Sequence, residues 1–391
     1  MKRLVIVGGG FAGLWSALSA VRQSRALGGA VQVTLVTREP EQTNRPRLYE
    51  GDLSTVRWGL ADYCEPLGIE LIVAEVVAIR PDAREVALRG RAAALAYDAL
   101  VLAAGSRVRR PPLPGMERVF DVDTYPAAMA LRAHLAELAA AGFAAPGALG
   151  VVVVGAGLAG LELATAMPAR LAGLAPAGAD ARVHLVERSA TVPLTGTAEA
   201  TAYIHRCLAE AGVEPHWGRA VREIGAAAVT LDDGTSIPAR TVVWAGGLTA
   251  SLLTQQFDAE RDTLGRLVVD ACLSLPGRTE VFVAGDAASA LADEGRIAPM
   301  SCQAAMPQGR VAGHNAVCRL LGAPPVAFHL PRYVTCVDLG PGQALFTTGW
   351  ERTVSKTGQE AKVIKERIVL ERIVPPRDLE AALAASAPPA G

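Results

Sequence analysis

The chain has 391 residues, of which 51% are hydrophobic and 20% charged, with a formal net charge of −1. That length and balance describe a globular protein of two or three domains and exclude a disordered chain, while the near-neutral charge gives no electrostatic footprint for nucleic acid. The six cysteines (Cys64, Cys207, Cys272, Cys302, Cys318 and Cys336) contain no C-x-x-C pair, which excludes zinc-ribbon spacing and a redox-active disulfide pair, so no metal and a reducing setting are expected.

From the N-terminus, Lys2-Arg3 leads at once into the apolar run Leu4–Val7, with no signal-peptide h-region. This run predicts a strand. Gly8-Gly9-Gly10-Phe11-Ala12-Gly13 follows, then a helical pattern from about Gly13 to Leu27 and a second strand at Val31–Val36. Further on, Tyr97–Leu102 is a strand pattern that stops at the small-residue turn Ala103-Ala104-Gly105-Ser106, and Pro111-Pro112-Leu113-Pro114-Gly115 reads as a linker.

The β-α-β plan then repeats. Val151–Val154 is a strand pattern, Gly155-Ala156-Gly157-Leu158-Ala159-Gly160 a turn, and a helix from Leu158 leads to the strand Arg182–Glu187. The uncharged stretch from Leu138 to Leu161 is long enough to span a bilayer. Its seven Gly and Pro positions fit a helix end, loop, strand and turn better. Thr241–Trp244 ends in Ala245-Gly246-Gly247, and Glu280–Ala284 ends in Gly285-Asp286. Ser301 is placed to cap a helix running to Leu321, with Gly322 as its stop. Strand-like runs at Arg332–Val337 and Ala344–Thr348, a charged helical pattern over 358–373 and a mobile Ala/Pro-rich tail complete the chain. Strands alternating with helices predict parallel sheet covered on both faces.

The two glycine turns carry the chemistry. In such a turn the first glycine permits a tight bend, the second lets backbone approach a pyrophosphate, and the third lets helix pack on strand. The phosphate then meets the free N–H groups and positive end of the helix. Two such turns in strand–turn–helix context point to a protein that binds two dinucleotides.

In this order, Gly8–Gly13, Ala103-Ala104-Gly105, Gly155–Glu162, Trp244-Ala245-Gly246, and Val281–Asp286 with Cys302–Gln308 resemble the two-dinucleotide-binding flavoprotein superfamily. Within it the chain is most similar to type II NADH:quinone oxidoreductases, over roughly residues 1–350. The resemblance implies an α/β fold of two Rossmann-like domains: an FAD domain (1–112 and 251–325) interrupted by an NADH domain (113–250), with a small α+β C-terminal region (326–391). It implies FAD held by Gly8, Gly10, Phe11, Ala12, Gly13, Thr37, Arg38, Arg45, Pro46, Val77, Ala103, Ala104, Gly105, Gly285, Asp286, Gln303, Ala304 and Ala305, with Leu48 packed beside Pro46. It implies NADH at Gly155, Gly157, Leu158, Ala159, Gly160, Glu187 and Gly246. The Glu187 carboxylate disfavours the 2′-phosphate of NADPH. Glu162, Gln303 and Gln308 are the implied catalytic residues, the amides being hydrogen-bond partners for quinone carbonyls.

Some positions depart from the family pattern. Thr37 stands where the superfamily has Asp or Glu, leaving one neutral hydrogen bond for the adenosine ribose, with Glu39 next in reach. In the quinone-site motif Ala-Gln-x-Ala-x-Gln-Gln, Gln303, Ala305 and Gln308 match while Cys302 and Pro307 do not. The C-terminal part is short. Its 358–373 pattern suits a bilayer surface, the protein body or a second subunit, so peripheral membrane contact at the cytoplasmic face and a homodimer both stay open. Three other functions remain: reduction of a ferredoxin, rubredoxin or biosynthetic acceptor; an FAD/NADH redox sensor; and sulfide:quinone chemistry on Cys302 and Cys336, against a default of buried inert thiols.

Overall fold

The computed structural model describes residues 1–193, 196–330 and 332–389. In chain order the elements that position the site are β1 (Lys2–Val7), α1 (Phe11–Ala26), β2 (Val31–Thr37), β3 (Glu70–Val73), β4 (Val76–Arg80), β5 (Ala99–Leu102) and α2 (Tyr125–Ala140). They continue with β6 (Gly150–Val154), α3 (Leu158–Ala172), β7 (Arg182–Glu187), α4 (Ala198–Glu210), β8 (Val213–Trp217) and β9 (Thr241–Trp244). The last are β10 (Ser274–Leu275), β11 (Arg278–Val283), α5 (Cys302–Leu321), β12 (Val334–Asp338), β13 (Ala344–Thr348), β14 (Thr353–Thr357) and α6 (Gly358–Arg367).

Two sheets organise the chain. The first has the order β10-β11-β5-β1-β2-β3, and the second β8-β7-β6-β9. All neighbours are parallel except β10, which runs antiparallel to β11. The strand at 278–283 therefore returns to pair with 99–102 after the chain has built the second sheet. The central strands are covered on both faces, as their unbroken apolar runs require: Leu4, Ile6, Leu100, Val101, Val151, Val152 and Val153 are fully buried. Each such side chain contributes roughly 1.5–3 kcal/mol relative to an exposed one.

Helix α5 lies unusually close to α1. A methyl group on Gly309 would sit 2.3 Å from the Ala12 carbonyl oxygen, and one on Gly313 2.0 Å from that of Ser16. The four-residue spacing of these glycines matches the four-residue spacing of Ala12 and Ser16, so two backbones meet without side chains between them. Ser19 Oγ adds a hydrogen bond to the Arg310 carbonyl at 2.7 Å. The Ser301 hydroxyl caps α5 and Gly322 ends it in a left-handed conformation, as the sequence predicts.

The C-terminal region is a three-stranded antiparallel sheet, β12-β13-β14, followed by α6. Ala361, Lys365 and Val369 form the buried stripe of this helix and of the turn after it, so the 358–373 segment packs on the protein body. The expectation of a mobile tail is corrected. Asp378 caps a further helix over Leu379–Ala385, whose Ala382 and Leu383 are buried; the last two residues of that tail, 390 and 391, lie outside the described residues. No helix among the described residues is long and apolar enough to cross a membrane.

Candidate active site

The two glycine turns have the same construction. Gly8 and Gly155 both take positive φ, at 114° and 103°, and a methyl group on either would run into a carbonyl of the facing strand end, Ala103 at 2.2 Å and Ala245 at 2.5 Å. The last glycine of each set, Gly13 or Gly160, lies so near its own turn that a methyl group would stand 1.7 or 1.8 Å from the Gly8 or Gly155 carbonyl oxygen. The middle positions differ in kind: open space surrounds Gly10 and Gly157. Each turn thus closes on itself and leaves free backbone at the start of its helix, the geometry an anionic pyrophosphate needs.

Around the first turn several chain segments converge. Gly285 stands against Ala12 and Ala305, so close that a methyl group on it would be 2.9 Å from the Ala12 β-carbon. The Asp286 carboxylate accepts a hydrogen bond from Ser106 Oγ at 2.6 Å and pairs with Arg45 at 3.3 Å. Arg45 also pairs with Asp123. Burial opposes the Arg45 charge, but the Asp123 and Asp286 carboxylates outweigh it and hold the guanidinium above its ordinary value. Phe11, Ala12, Gly13, Ala103, Ala304 and Ala305 are all buried here.

Other expected residues are placed less centrally. Thr37 is buried at the end of β2, its hydroxyl against Gly9. Arg38 is exposed in the next turn, and Val77 is 43% exposed on β4. Pro46 is the middle residue of a short 3-10 turn over Arg45–Arg47. Leu48, expected beside Pro46 at the flavin, instead packs into a small core with Leu53, Val56 and Ala128. The Gln42 amide and the Trp58 indole nitrogen are buried without partners among the described residues, and Trp58 stacks edge-on against Phe11 at 6.5 Å. An open glycine cradle, a carboxylate and guanidinium set, and unspent buried donors fit a dinucleotide such as FAD.

The second turn is held by its own acid. Glu187 accepts hydrogen bonds from Ala156 N and Ser189 N, both at 2.8 Å. Each carboxylate oxygen retains a further lone pair. Leu158 and Ala159 are exposed at the start of α3, whereas Phe11 and Ala12 at the start of α1 are covered. Gly246 is partly exposed beside Trp244, whose indole N–H donates to the Arg109 carbonyl at 2.9 Å.

Glu162 is buried on α3 and meets Lys365 of α6, with Oε1 2.5 Å from Nζ. The same oxygen accepts the Asp338 backbone N–H at 3.1 Å. Asp338 in turn binds the Tyr49 hydroxyl at 2.7 Å and Lys362 at 2.6 Å. Burial pushes the Glu162 carboxyl above its usual range. It also works against the Lys365 charge, but Glu162 prevails and holds that ammonium protonated. Lys365, Asp338 and Tyr49 carry no sequence signal that marks them as a cluster, since they come from three distant segments. Lys365 Nζ also donates to the Cys336 carbonyl at 3.3 Å, on the strand β12 whose Val334 pairs with Gln303 at the start of α5, which brings the charged pair to the border of the first site.

The amides expected to meet quinone carbonyls have other work. Gln303 donates to the Val334 carbonyl and accepts from the Val334 N–H, both at 3.0 Å, so it pairs with β12 as another strand would. Gln308 is 1% exposed and accepts the Gly285 N–H at 2.7 Å, fixing the turn that presents Asp286. Neither is the free carbonyl-binding amide that the resemblance implies. The physical reason is local: each stands on α5 opposite a backbone group that it pairs with, Val334 for Gln303 and Gly285 for Gln308.

This pair of matched turns, each at the end of parallel strands, is the construction of a two-dinucleotide-binding fold. The chain belongs to the pyridine nucleotide-disulphide oxidoreductase family, whose model matches residues 2–309; all six cysteines are unpaired. It is 43% identical to an NADH dehydrogenase-like protein of Mycobacterium tuberculosis, over 99% of this chain and 98% of that one. It is 25% identical to the type II NADH:quinone oxidoreductase of Staphylococcus saprophyticus, over 87% of this chain and 88% of that one. Its fold is similar to that of NDH2 from Plasmodium falciparum, solved in complex with NADH, with a TM-score of 0.80 at 12% identity over 98% of this chain and 97% of that one.

Proposed function

We propose that the protein takes hydride from NADH at the second turn and delivers the electron pair, by way of FAD held at the first, to a quinone. The observation that carries this reading is the unequal cover of two equivalent turns. The first is closed over by Gly285, Ala305 and the start of α5, which suits a resident group; the second opens to solvent at Leu158 and Ala159, which suits one that comes and goes. The names of the relatives support the donor and the acceptor class.

On this reading Gly8, Gly10, Phe11, Ala12 and Gly13 hold the FAD pyrophosphate by backbone, with Thr37, Arg38 and Val77 toward the adenosine end. Arg45, Pro46 and Asp286 face the ribityl side, and Ala103, Ala104, Gly105, Ala304 and Ala305 press backbone and small side chains against the ring system. FAD bound there supplies the two-electron chemistry, and the protein supplies orientation and charge. Gly155, Gly157 and Gly160 hold the NADH pyrophosphate, and Glu187 offers its remaining lone pairs to the ribose hydroxyls. Lys365 keeps a proton on Nζ beside Glu162 at the border of the first site, which suits an acceptor that takes up protons with its electrons.

The visible spectrum of the purified protein tests both halves. A yellow protein that bleaches on NADH and recovers on a soluble quinone is the expected result. Recovery only on a ferredoxin or rubredoxin, or a long-lived reduced state that no acceptor relieves, sinks the quinone assignment.

A further inference from the structure

Outside the nucleotide sites, His184, Glu214 and His216 form a cluster that the reading above does not use. His184 lies on β7, and Glu214 and His216 on the edge strand β8; in the parallel register Glu214 stands opposite His184, and His216 opposite Val186. Side chains two apart on a strand share a face, so all three project from the same side of the sheet. His184 Nδ1 is 3.1 Å from His216 Nε2. Glu214 carboxylate oxygens lie 3.4 Å from His184 Nδ1 and 3.9 Å from His216 Nε2. Donors bound tetrahedrally at the usual zinc distances stand about 3.3 Å apart. The three separations bracket that value, and the ligand atoms lie within 4.8 Å of one another.

We propose that this cluster is a binding site for one divalent transition-metal cation of the zinc class, which fastens the edge strand β8 to β7. Two imidazoles and one carboxylate are the borderline-soft donor set such an ion selects. The imidazoles are partly buried and so preplaced, while Glu214 is exposed and free to close on the ion. Of the three, His184 also lines a cavity of about 250 Å³ with Arg182, Phe143 and Pro238, which leaves room beside its imidazole for a water as the fourth ligand. The neighbouring Arg182 guanidinium is paired with Asp180 at 2.8 Å, which offsets its charge. The site draws on strands rather than on cysteine spacing, so a search for C-x-x-C patterns passes over it.

The competing arrangement is a plain hydrogen bond between two neutral imidazoles, and titration separates the two. Full-length protein, stripped with a chelator and purified with whatever flavin it retains, is titrated with Zn(II) by calorimetry and with Co(II) by visible absorption. The proposal expects one zinc equivalent at this site, tetrahedral-type Co(II) bands, and a zinc-dependent rise in unfolding temperature. His216→Ala loses that equivalent and the bands. Glu214→Gln, at a position too exposed to disturb folding, weakens zinc binding by at least about tenfold. Absence of zinc binding in the unaltered protein, or the same stoichiometry and affinity in it and in both variants, overturns the assignment.

Discussion

Glu162 and Lys365 are 203 residues apart in the chain, yet their charged atoms meet at 2.5 Å with both side chains at least nine-tenths buried. The contact joins the second nucleotide-binding unit to the C-terminal helix. Removing one partner leaves a charge in a place where it has lost its water, so Lys365→Met is expected to lower stability by about 3–5 kcal/mol. The double variant Glu162→Gln, Lys365→Met recovers much of that loss in urea denaturation. The pH dependence has a definite sign. Lys365 is raised above its ordinary value, so its contribution is present below the usual lysine range and is lost as pH rises through the raised value. An unfolding midpoint that is as high above that range as at pH 8 contradicts the assignment.

That pair also shows where sequence reasoning reaches and where it stops. The glycine turns were legible because their meaning is local: Gly8 and Gly155 must bend, Gly13 and Gly160 must let a helix close, and both demands are written within six residues. Glu162 stood out because it closes the Gly155–Glu162 stretch that resembles the family pattern. Its partner did not, because Lys365 looks like one more charge in a charged helix until β12 brings α6 against α3. Gln303 and Gln308 were visible as amides at a functional position. Their engagement with Val334 and Gly285 depended on which backbone groups the fold brought opposite them. The close approach of α1 and α5 was equally hidden, since Gly309 and Gly313 read as ordinary residues of a helix until the facing Ala12 and Ser16 are known.

The two turns are expected to fail separately. In Gly13→Val the added side chain meets the Gly8 carbonyl, and in Gly160→Val it meets the Gly155 carbonyl, each well inside contact distance. Gly13→Val is expected to purify without flavin. Gly160→Val is expected to purify yellow and to need at least about tenfold more NADH to bleach, a loss of about 1.4 kcal/mol in binding. Flavin content by absorbance and NADH titration of the bleach read the two outcomes independently. Equal loss of flavin in both variants contradicts the assignment of one turn to each dinucleotide.

The cysteines near the site are expected to be chemically quiet. Burial pushes the Cys302 thiol up to about 11 and that of Cys336 up to about 12. A raised value means the neutral thiol persists below it, so at pH 8 only about one Cys302 in a thousand is thiolate. Alkylation of both by iodoacetamide is therefore slow at pH 8 and accelerates steadily toward pH 11. Cys302→Ser and Cys336→Ser are expected to retain NADH-dependent turnover within about threefold, a difference of under 1 kcal/mol. Abolished turnover in either variant revives sulfide-type cysteine chemistry.

The contact between α1 and α5 sets the first site from behind. Because Gly313 meets the Ser16 carbonyl with no room for a methyl group, Gly313→Val forces the two helices apart. The same helix carries Ala305 against Gly285 and Gln308 against the Gly285 N–H, so the shift reaches the turn that presents Asp286. Overpacking of this kind costs about 1–3 kcal/mol. The expected result is a lower unfolding midpoint together with faster loss of flavin on dilution. Arg319→Ala, at an exposed position on the same helix, is the matched control and is expected to change stability by less than about 0.5 kcal/mol. If Gly313→Val unfolds earlier but keeps its flavin as tightly as the parent, the helix contact serves the core alone and does not position Asp286.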